Sequence, residues 1–502
     1  GHSDNTVKDA IINQTEKLAY AHTSFFTNEP AEKLANLLAK NSPSGLDKVY
    51  LVSSGSEAVE ASIKLAKQYF IEIGKPKKHK VISRRQSYHG NTLGALASGG
   101  NIWRRNFFED LLIETSLISP CYTYRNKRSD ETEWDYGQRV AKELEDEILN
   151  LGPDNVMAFM AETVVGATAG ALTAVPGYFK LIREICNKYD VLLILDEVMC
   201  GMGRTGSLFA CDDEPVIPDI ITIAKGLGAG YQPIGAMICQ NHIYEAIESG
   251  SGFFQHGHTY LGHPVACAAS YAVLSKLIND NYPSKVREKG NILQESLTKS
   301  LGQNQYIGDI RGRGLFRAIE LVADRSTKEP FPKKLNVAGK IKKKALDEGL
   351  ICYPMQGTID GENGDHILVA PPFIINETEI NEISEKLKNA IDSVCKFWFD
   401  NFMYLRIITI KCPNQTAKKA LKLLNKQVAN EQMKVGLVKQ TTVDISDTNF
   451  LAVKYWISKS HFEKGRKNWI KVSQEFNEMG AIVSGVGGEA DINMLDDFKN
   501  HI

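Results

Sequence analysis

The chain has 502 residues, 43% of them hydrophobic and 24% charged, with a formal net charge of −1. That length leaves room for two or three domains, and so neutral a balance gives no overall electrostatic reason for nucleic acid or an anionic membrane as the main partner. No apolar run approaches the roughly 20 residues that span a bilayer, no signal peptide opens the chain, and nine scattered cysteines without a C-x-x-C pair read as free thiols in a reducing cytoplasm.

From residue 48 to about 280, short apolar runs at 48–52, 80–83, 156–161, 191–195 and 220–224 alternate with helical stretches. The stretch 57–73 places Val59, Ile63, Ala66 and Phe70 at helical spacing. This alternation predicts an α/β layer with a mostly parallel sheet, both faces covered by helices. A second region, about 281–400, carries a strand-turn-strand signal in IRGRGLFRAIELV and a helix from 377 to about 392, the pattern of a smaller α+β domain. After an aromatic join, FWFDNFMYL, residues 403–502 follow a βαββαβ order, which predicts an appended ferredoxin-like module.

The run 191–195 is followed by Gly201, Gly203 and Gly206 in a G-x-G-x-x-G pattern. Such glycines hold a dinucleotide pyrophosphate when they directly follow a strand and open a helix. Here residues 196–200 intervene, and the continuation SLFACDDEPVIPDI has two prolines and no helical period. The glycines read as a turn. Asp196, just ahead of them, ends a buried strand, where open α/β sheets place their ligands. Taken alone it reads more simply as a helix cap or a surface acid.

Three neighbours in the sequence change that. Lys225 ends the next apolar strand and is followed by glycines, which suits an amine desolvated in a pocket, with a lowered pKa and able to form a Schiff base. LVSSGSEAVEASIKLA gives a strand, then Ser54-Gly55-Ser56, then a helix whose free N–H groups suit a phosphate. Tyr88-His89-Gly90 follows the strand at 80–83 and offers a stacking ring. A phosphate cradle, an amine, a buried carboxylate and a ring together describe a site for pyridoxal 5'-phosphate.

The stretches SSGSEAVEASIKLA, SYHGNTLGALA, AETVVGATAG, LILDEVMCGMGRTG, PDIITIAKGLGAGYQPIGA and HGHTYLGHPVACAA resemble class III (omega) aminotransferases, pyridoxal-phosphate enzymes of fold type I, over roughly residues 1–395. The resemblance implies an N-terminal segment 1–30, a large cofactor-binding domain 31–280 and a small domain 281–400. It implies that Lys225 carries the cofactor and that Asp196 pairs with the pyridinium nitrogen, these two being the catalytic residues. Val198 and Tyr88 would cover the two ring faces, Gly55 and Ser56 would bind the phosphate, and Glu162 would line the pocket. Thr259 would reach the phosphate of a partner subunit, which implies a homodimer with shared active sites. Ser24 and Phe25 are expected to line the substrate pocket, with packing at a helix entry as the other reading. GHSDNTVKDAI, opening on Gly1 rather than Met, is similar to a stretch some tens of residues into family members, so a truncated N-terminus is expected.

The implied reaction moves an amino group from an ω-amino acid or amine to pyruvate or 2-oxoglutarate in a ping-pong cycle. Racemases, aminomutases and decarboxylases on the same scaffold share these residues, and a non-catalytic binding protein of this fold is the alternative outside enzymes. His256, His258 and His263 have no carboxylate or cysteine nearby, so no metal is expected there. Arg84 and Arg85 read as solvated surface charge, with substrate-carboxylate binding as the lesser reading; Arg311 and Arg313 share that ambiguity. Tyr353 stands where the family often places an arginine for the acceptor carboxylate, which leaves that contact to another arginine or to the missing N-terminus. Residues 403–502 carry 15 Lys and Arg against 10 Asp and Glu. Their strands lack an aromatic-rich RNA-binding pattern, so regulation, docking or oligomerisation is expected before nucleic acid.

Overall fold

Seven strands make the main sheet: β1 (Leu46–Val52), β2 (Lys80–Arg84), β3 (Thr115–Ile118), β4 (Val156–Glu162), β5 (Leu192–Asp196), β6 (Ile220–Ile223) and β7 (Gly235–Gln240). Their order is β1-β7-β6-β5-β4-β2-β3. Pairing from β6 to β3 is parallel, and β7 runs antiparallel to both β6 and β1. The structure, a computed structural model, describes residues 1–435, 437–456 and 459–491.

Apolarity throughout β4 and β5 follows from cover on both faces. Phe159, Ala161, Leu193 and Leu195 point into one buried cluster with α2 (Glu133–Leu151) and α3 (Tyr178–Lys188). Ala158, Met160, Leu192 and Ile194 point into another with α1 (Gly55–Glu72). Helix α1 starts where it does because Ser54, in an extended conformation, accepts the Glu57 N–H at 3.2 Å, while the Glu57 carboxylate reaches back to the Ser53 N–H at 2.7 Å. Those bonds satisfy helix-end donors that would otherwise be orphaned. β3 and β7 are not evident in the sequence: TSLI is short and half polar, and β7 opens on a glycine after a run of turn residues.

A second sheet contains β8 (Ile307–Arg313), β9 (Phe316–Leu321), β10 (Tyr353–Gln356) and β11 (Asp365–Val369), in the antiparallel order β8-β9-β11-β10. The expected strand-turn-strand is the β8/β9 hairpin. Contacts divide the chain into two compact units: residues 1–321 with 331–388, and residues 322–330 with the chain from 389 onward. The helix expected from 377 to about 392 extends further, into the aromatic join. The apolar period continues, the helix Glu377–Asn401 runs through it, and strand β12 (Phe402–Lys411) begins directly afterwards.

In the second unit β12 is followed by α4 (Gln415–Met433), β13 (Leu437–Asp444), β14 (Asn449–Trp456), α5 (Lys459–Glu478) and β15 (Ile482–Asp491). The sheet order is β13-β14-β12-β15, with every neighbouring pair antiparallel. β14 alternates strictly, with Phe450, Ala452, Lys454 and Trp456 inward. No helix of the described residues is long and apolar enough to cross a membrane.

Phe159 is fully buried in the strand next to β5. Phe159→Ala removes its ring contacts and leaves a cavity, an expected loss of about 3–5 kcal/mol; a clearly lowered thermal midpoint in calorimetry checks this, and an unchanged one refutes the core assignment.

Candidate active site

The carboxyl ends of β4, β5 and β6 and the start of α1 converge on a cavity of about 510 Å³. Ser54, Gly55 and Ser56 form one wall, Tyr88 and His89 another, and Glu162, Asp196, Val198 and Lys225 come from the strand ends and their following turns. Seven of the predicted site residues, Gly55, Ser56, Tyr88, Glu162, Asp196, Val198 and Lys225, therefore stand in one place, brought there by elements that are not neighbours in the chain.

Asp196 is 4% exposed. A buried carboxylate needs hydrogen-bond partners, and this one has them. Its Oδ1 accepts the Val198 N–H at 2.9 Å, and His89 Nδ1–H donates to its Oδ2 at 2.8 Å. The carboxylate accepts only, which fixes the proton on Nδ1. His89 is itself buried, and its Nε2 has no hydrogen-bond partner among the described residues. In the sequence His89 shows only as the middle of Tyr88-His89-Gly90, and the place of that triplet after a buried strand is the available signal.

Gly55 owes its place to Val198. A Cβ on Gly55 would come 2.7 Å from Val198 Cγ1, so a larger residue would push Val198 out of the cavity wall. Ser56 Oγ accepts the Asn91 N–H at 3.1 Å, which ties the first turn of α1 to the segment after Tyr88. Glu162, also buried, accepts the Tyr88 N–H at 3.1 Å and the Gly166 N–H at 2.7 Å. Burial pushes its carboxyl above the usual range, with the nearby Asp196 charge adding to that and His89 opposing it. Burial likewise raises the Tyr88 hydroxyl, against the Arg104 guanidinium beside it.

Lys225 has φ +38°, a left-handed conformation that costs a non-glycine residue about 1–2 kcal/mol. The turn is held by the Ala229 N–H on the Lys225 carbonyl at 2.9 Å. The enclosed, desolvated amine expected from sequence is not found in the single chain. Lys225 is exposed, because it lies between the first cavity and a second one, also of about 510 Å³, lined by Arg204, Tyr231 and Phe373 among others.

Thr259, Ser24 and Phe25 do not line the cavity of the single chain; all three are exposed, Phe25 at 79%. The Thr259 carbonyl accepts the Tyr20 hydroxyl at 2.8 Å, and the Ser24 N–H donates to His22 Nδ1 at 3.1 Å. Neither Ser24 nor Phe25 caps the helix Glu29–Asn41; Asn28 does. Arg84 corrects the surface reading. It is buried, because β2 lies inside the sheet, and it donates to the Glu162 carbonyl. Arg311 is also buried, paired with Glu320 at 2.6 Å, and Arg313 pairs with Glu214. The stretch with Gly203 (φ +86°) and Gly206 (φ +97°) is a turn that opens no α-helix.

An amine, a buried carboxylate with lone pairs left over, a helix start and an aromatic ring around one cavity form a donor set that fits pyridoxal phosphate: helix N–H groups for the phosphate, Asp196 for the ring nitrogen, Lys225 for the aldehyde carbon. The fold agrees with pyridoxal-phosphate-dependent transferases of fold type I. The structure superposes with a TM-score of 0.74 on the omega transaminase from Pseudomonas jessenii in complex with PMP, at 31% identity over 79% of this chain and 86% of that one. The family model for class-III aminotransferases matches residues 1–391. An uncharacterised aminotransferase of Schizosaccharomyces pombe is 46% identical over 394 residues, 78% of this chain and 86% of its own. A diaminobutyrate–2-oxoglutarate transaminase of Halomonas elongata is 35% identical over 78% of this chain and 84% of its own. The chain belongs to the class III aminotransferase family, and it is a pyridoxal-phosphate-dependent transaminase.

Next to Asp196 in the chain, Glu197 turns away from the cavity and accepts from the Ala210 and Cys211 N–H groups and the Thr163 hydroxyl, at 2.6, 2.8 and 2.9 Å. Burial still pushes its carboxyl from 4.5 up to about 7. The folded protein therefore holds this proton more tightly than the unfolded chain, so the corresponding stability is complete below pH 4.5 and lost as pH rises to about 7. Glu197→Gln is expected to remove that part of the pH dependence of the thermal midpoint between those values; an identical slope in the variant would exclude it.

Proposed function

We propose that this transaminase takes the amino group of an ω-amino acid or amine and delivers it to a 2-oxo acid, pyruvate or 2-oxoglutarate, by a ping-pong mechanism. The observation that carries the chemistry is Asp196, fixed by His89 and the Val198 N–H in the cavity that Lys225 lines. The substrate class rests on likeness to an omega transaminase and to a diaminobutyrate–2-oxoglutarate transaminase.

Bound pyridoxal phosphate supplies an electron-withdrawing ring that takes up the electron pair released when a C–H bond beside the amine breaks. The Asp196 carboxylate holds a proton at the ring nitrogen, and His89 keeps that carboxylate in one orientation. Gly55 and Ser56 bind the phosphate with the N–H groups that open α1, where the helix favours an anion. Val198 and Tyr88, both in the cavity lining, would cover the ring and exclude water. Lys225 Nζ would hold the group at its aldehyde carbon and, as a free amine, would take up and give back the proton of the substrate carbon. Glu162 borders this space through its bonds to the Tyr88 and Gly166 N–H groups.

Exposure of Thr259 and Phe25 supports a homodimer in which Thr259 serves the neighbouring phosphate and Ser24 and Phe25 border the substrate. The βαββαβ order and the sheet order β13-β14-β12-β15 support a ferredoxin-like module in the second unit, with a regulatory or docking role. We place the protein in the cytoplasm, a reading supported by buried free cysteines; we read residues 31–280 as the large domain and 281–400 as the small one.

Lys225→Ala is expected to abolish turnover and the absorbance of the lysine-bound cofactor. In the unaltered holoenzyme, a panel of donors should bleach that absorbance with ω-amines; bleaching by α-amino acids alone would overturn the omega assignment.

A further inference from the structure

A 2-oxo acid brings a carboxylate into the cavity, and an arginine is the side chain that matches it with two parallel N–H donors. Most arginines of the first unit have already spent those donors. Arg84 and Arg204 bond backbone carbonyls; Arg311 and Arg313 pair with carboxylates. Arg104 has not. Its guanidinium makes no hydrogen bond or ion pair among the described residues, and its Nε is buried without a partner.

Arg104 lies beside the site. Its guanidinium carbon is 4.5 Å from the centroid of the Tyr88 ring, which lines the cavity. A cation over an aromatic face is held in place while its edge donors stay available. The segment is anchored as well: Asn101 Nδ2 donates to Gln86 Oε1 at 3.0 Å, Gln86 in turn donates to the Gly357 carbonyl, and the Arg104 N–H reaches the Asn101 carbonyl at 3.1 Å. Tyr353, 44% exposed at the start of β10, lies within electrostatic reach of the Tyr88 hydroxyl. A pre-positioned guanidinium, over the Tyr88 and Trp103 rings and without a hydrogen bond or ion pair among the described residues, therefore lies behind a ring that lines the cavity.

We propose that Arg104, stacked on Tyr88, binds the carboxylate of the 2-oxo acid acceptor and so makes the enzyme prefer acidic acceptors. This rests on the transamination reading above. The test uses the full-chain holoenzyme and its Arg104→Gln and Arg104→Lys variants in single-turnover half-reactions, followed by cofactor absorbance. One half-reaction uses 2-oxoglutarate; the other uses an amine donor that has no carboxylate. For Arg104→Gln, the efficiency of the acceptor half-reaction relative to the amine half-reaction should fall about 10- to 100-fold, through a raised apparent dissociation constant, as expected for losing a charge-assisted bond. Arg104→Lys should recover part of it. Calorimetry with glutarate, an unreactive dicarboxylate, should show the same weakening. An unchanged ratio, or equal slowing of both halves with unaltered glutarate binding, overturns the assignment. If the unaltered enzyme bleaches with no ω-amine at all, the transamination reading fails instead, and glutarate binding still decides the role of Arg104.

Discussion

A carboxylate taken out of water is costly unless its lone pairs are met, and the site depends on how this is done at Asp196. The residue sits at the end of a strand buried on both faces, and the sheet gives it a fixed position. His89 and the Val198 N–H then take two of its lone-pair directions and leave the rest facing the cavity. Every other part of the site is arranged around that direction. Val198, held by the same bond, meets Gly55 at the start of α1, so phosphate cradle and ring wall share one contact. Tyr88, one residue before His89, is fixed by Glu162 from the adjacent strand.

Much of this was legible in the sequence because it depends on local pattern. The strands at 156–161 and 191–195 are apolar without interruption, 220–224 is broken only by Thr222, and Asp196 and Lys225 mark the ends of the last two. Gly55 and Ser56 follow a strand and open an amphipathic helix. What could not be read depends on distant packing. Arg84 looked solvated because its sequence neighbours are polar, yet sheet order buries it. Lys225 looked enclosed because its strand is, although the turn after the strand faces two cavities. The edge strand Thr115–Ile118 lacks enough apolar residues to show itself, and His89 gains meaning only beside a residue more than a hundred positions away. Thr259, Ser24 and Phe25 stand exposed, outside the cavity of the single chain.

The second unit has its own chemistry. Its sheet alternates inward and outward residues, as a one-sided antiparallel sheet should, but Lys454 occupies an inward position between Ala452 and Trp456. Its amine donates to Gln432 Oε1 at 2.7 Å, and burial lowers it from 10.5 to about 7. A core that accepts such a residue gives up some apolar stabilisation for a specific polar contact between β14 and α4.

The position of β7 bears on how the molecule assembles. β1, whose end leads into the phosphate cradle, lies at the edge of the sheet and pairs only with β7. As the chain emerges during synthesis, β2, β4, β5 and β6 can align in parallel and take α1 against them, while β1 waits for a strand far downstream. The cradle is therefore closed late, by a contact of long sequence separation that is slow to form. Until then β1 has no neighbour to take its N–H and C=O groups, and an unpaired strand of this kind is open to misassociation.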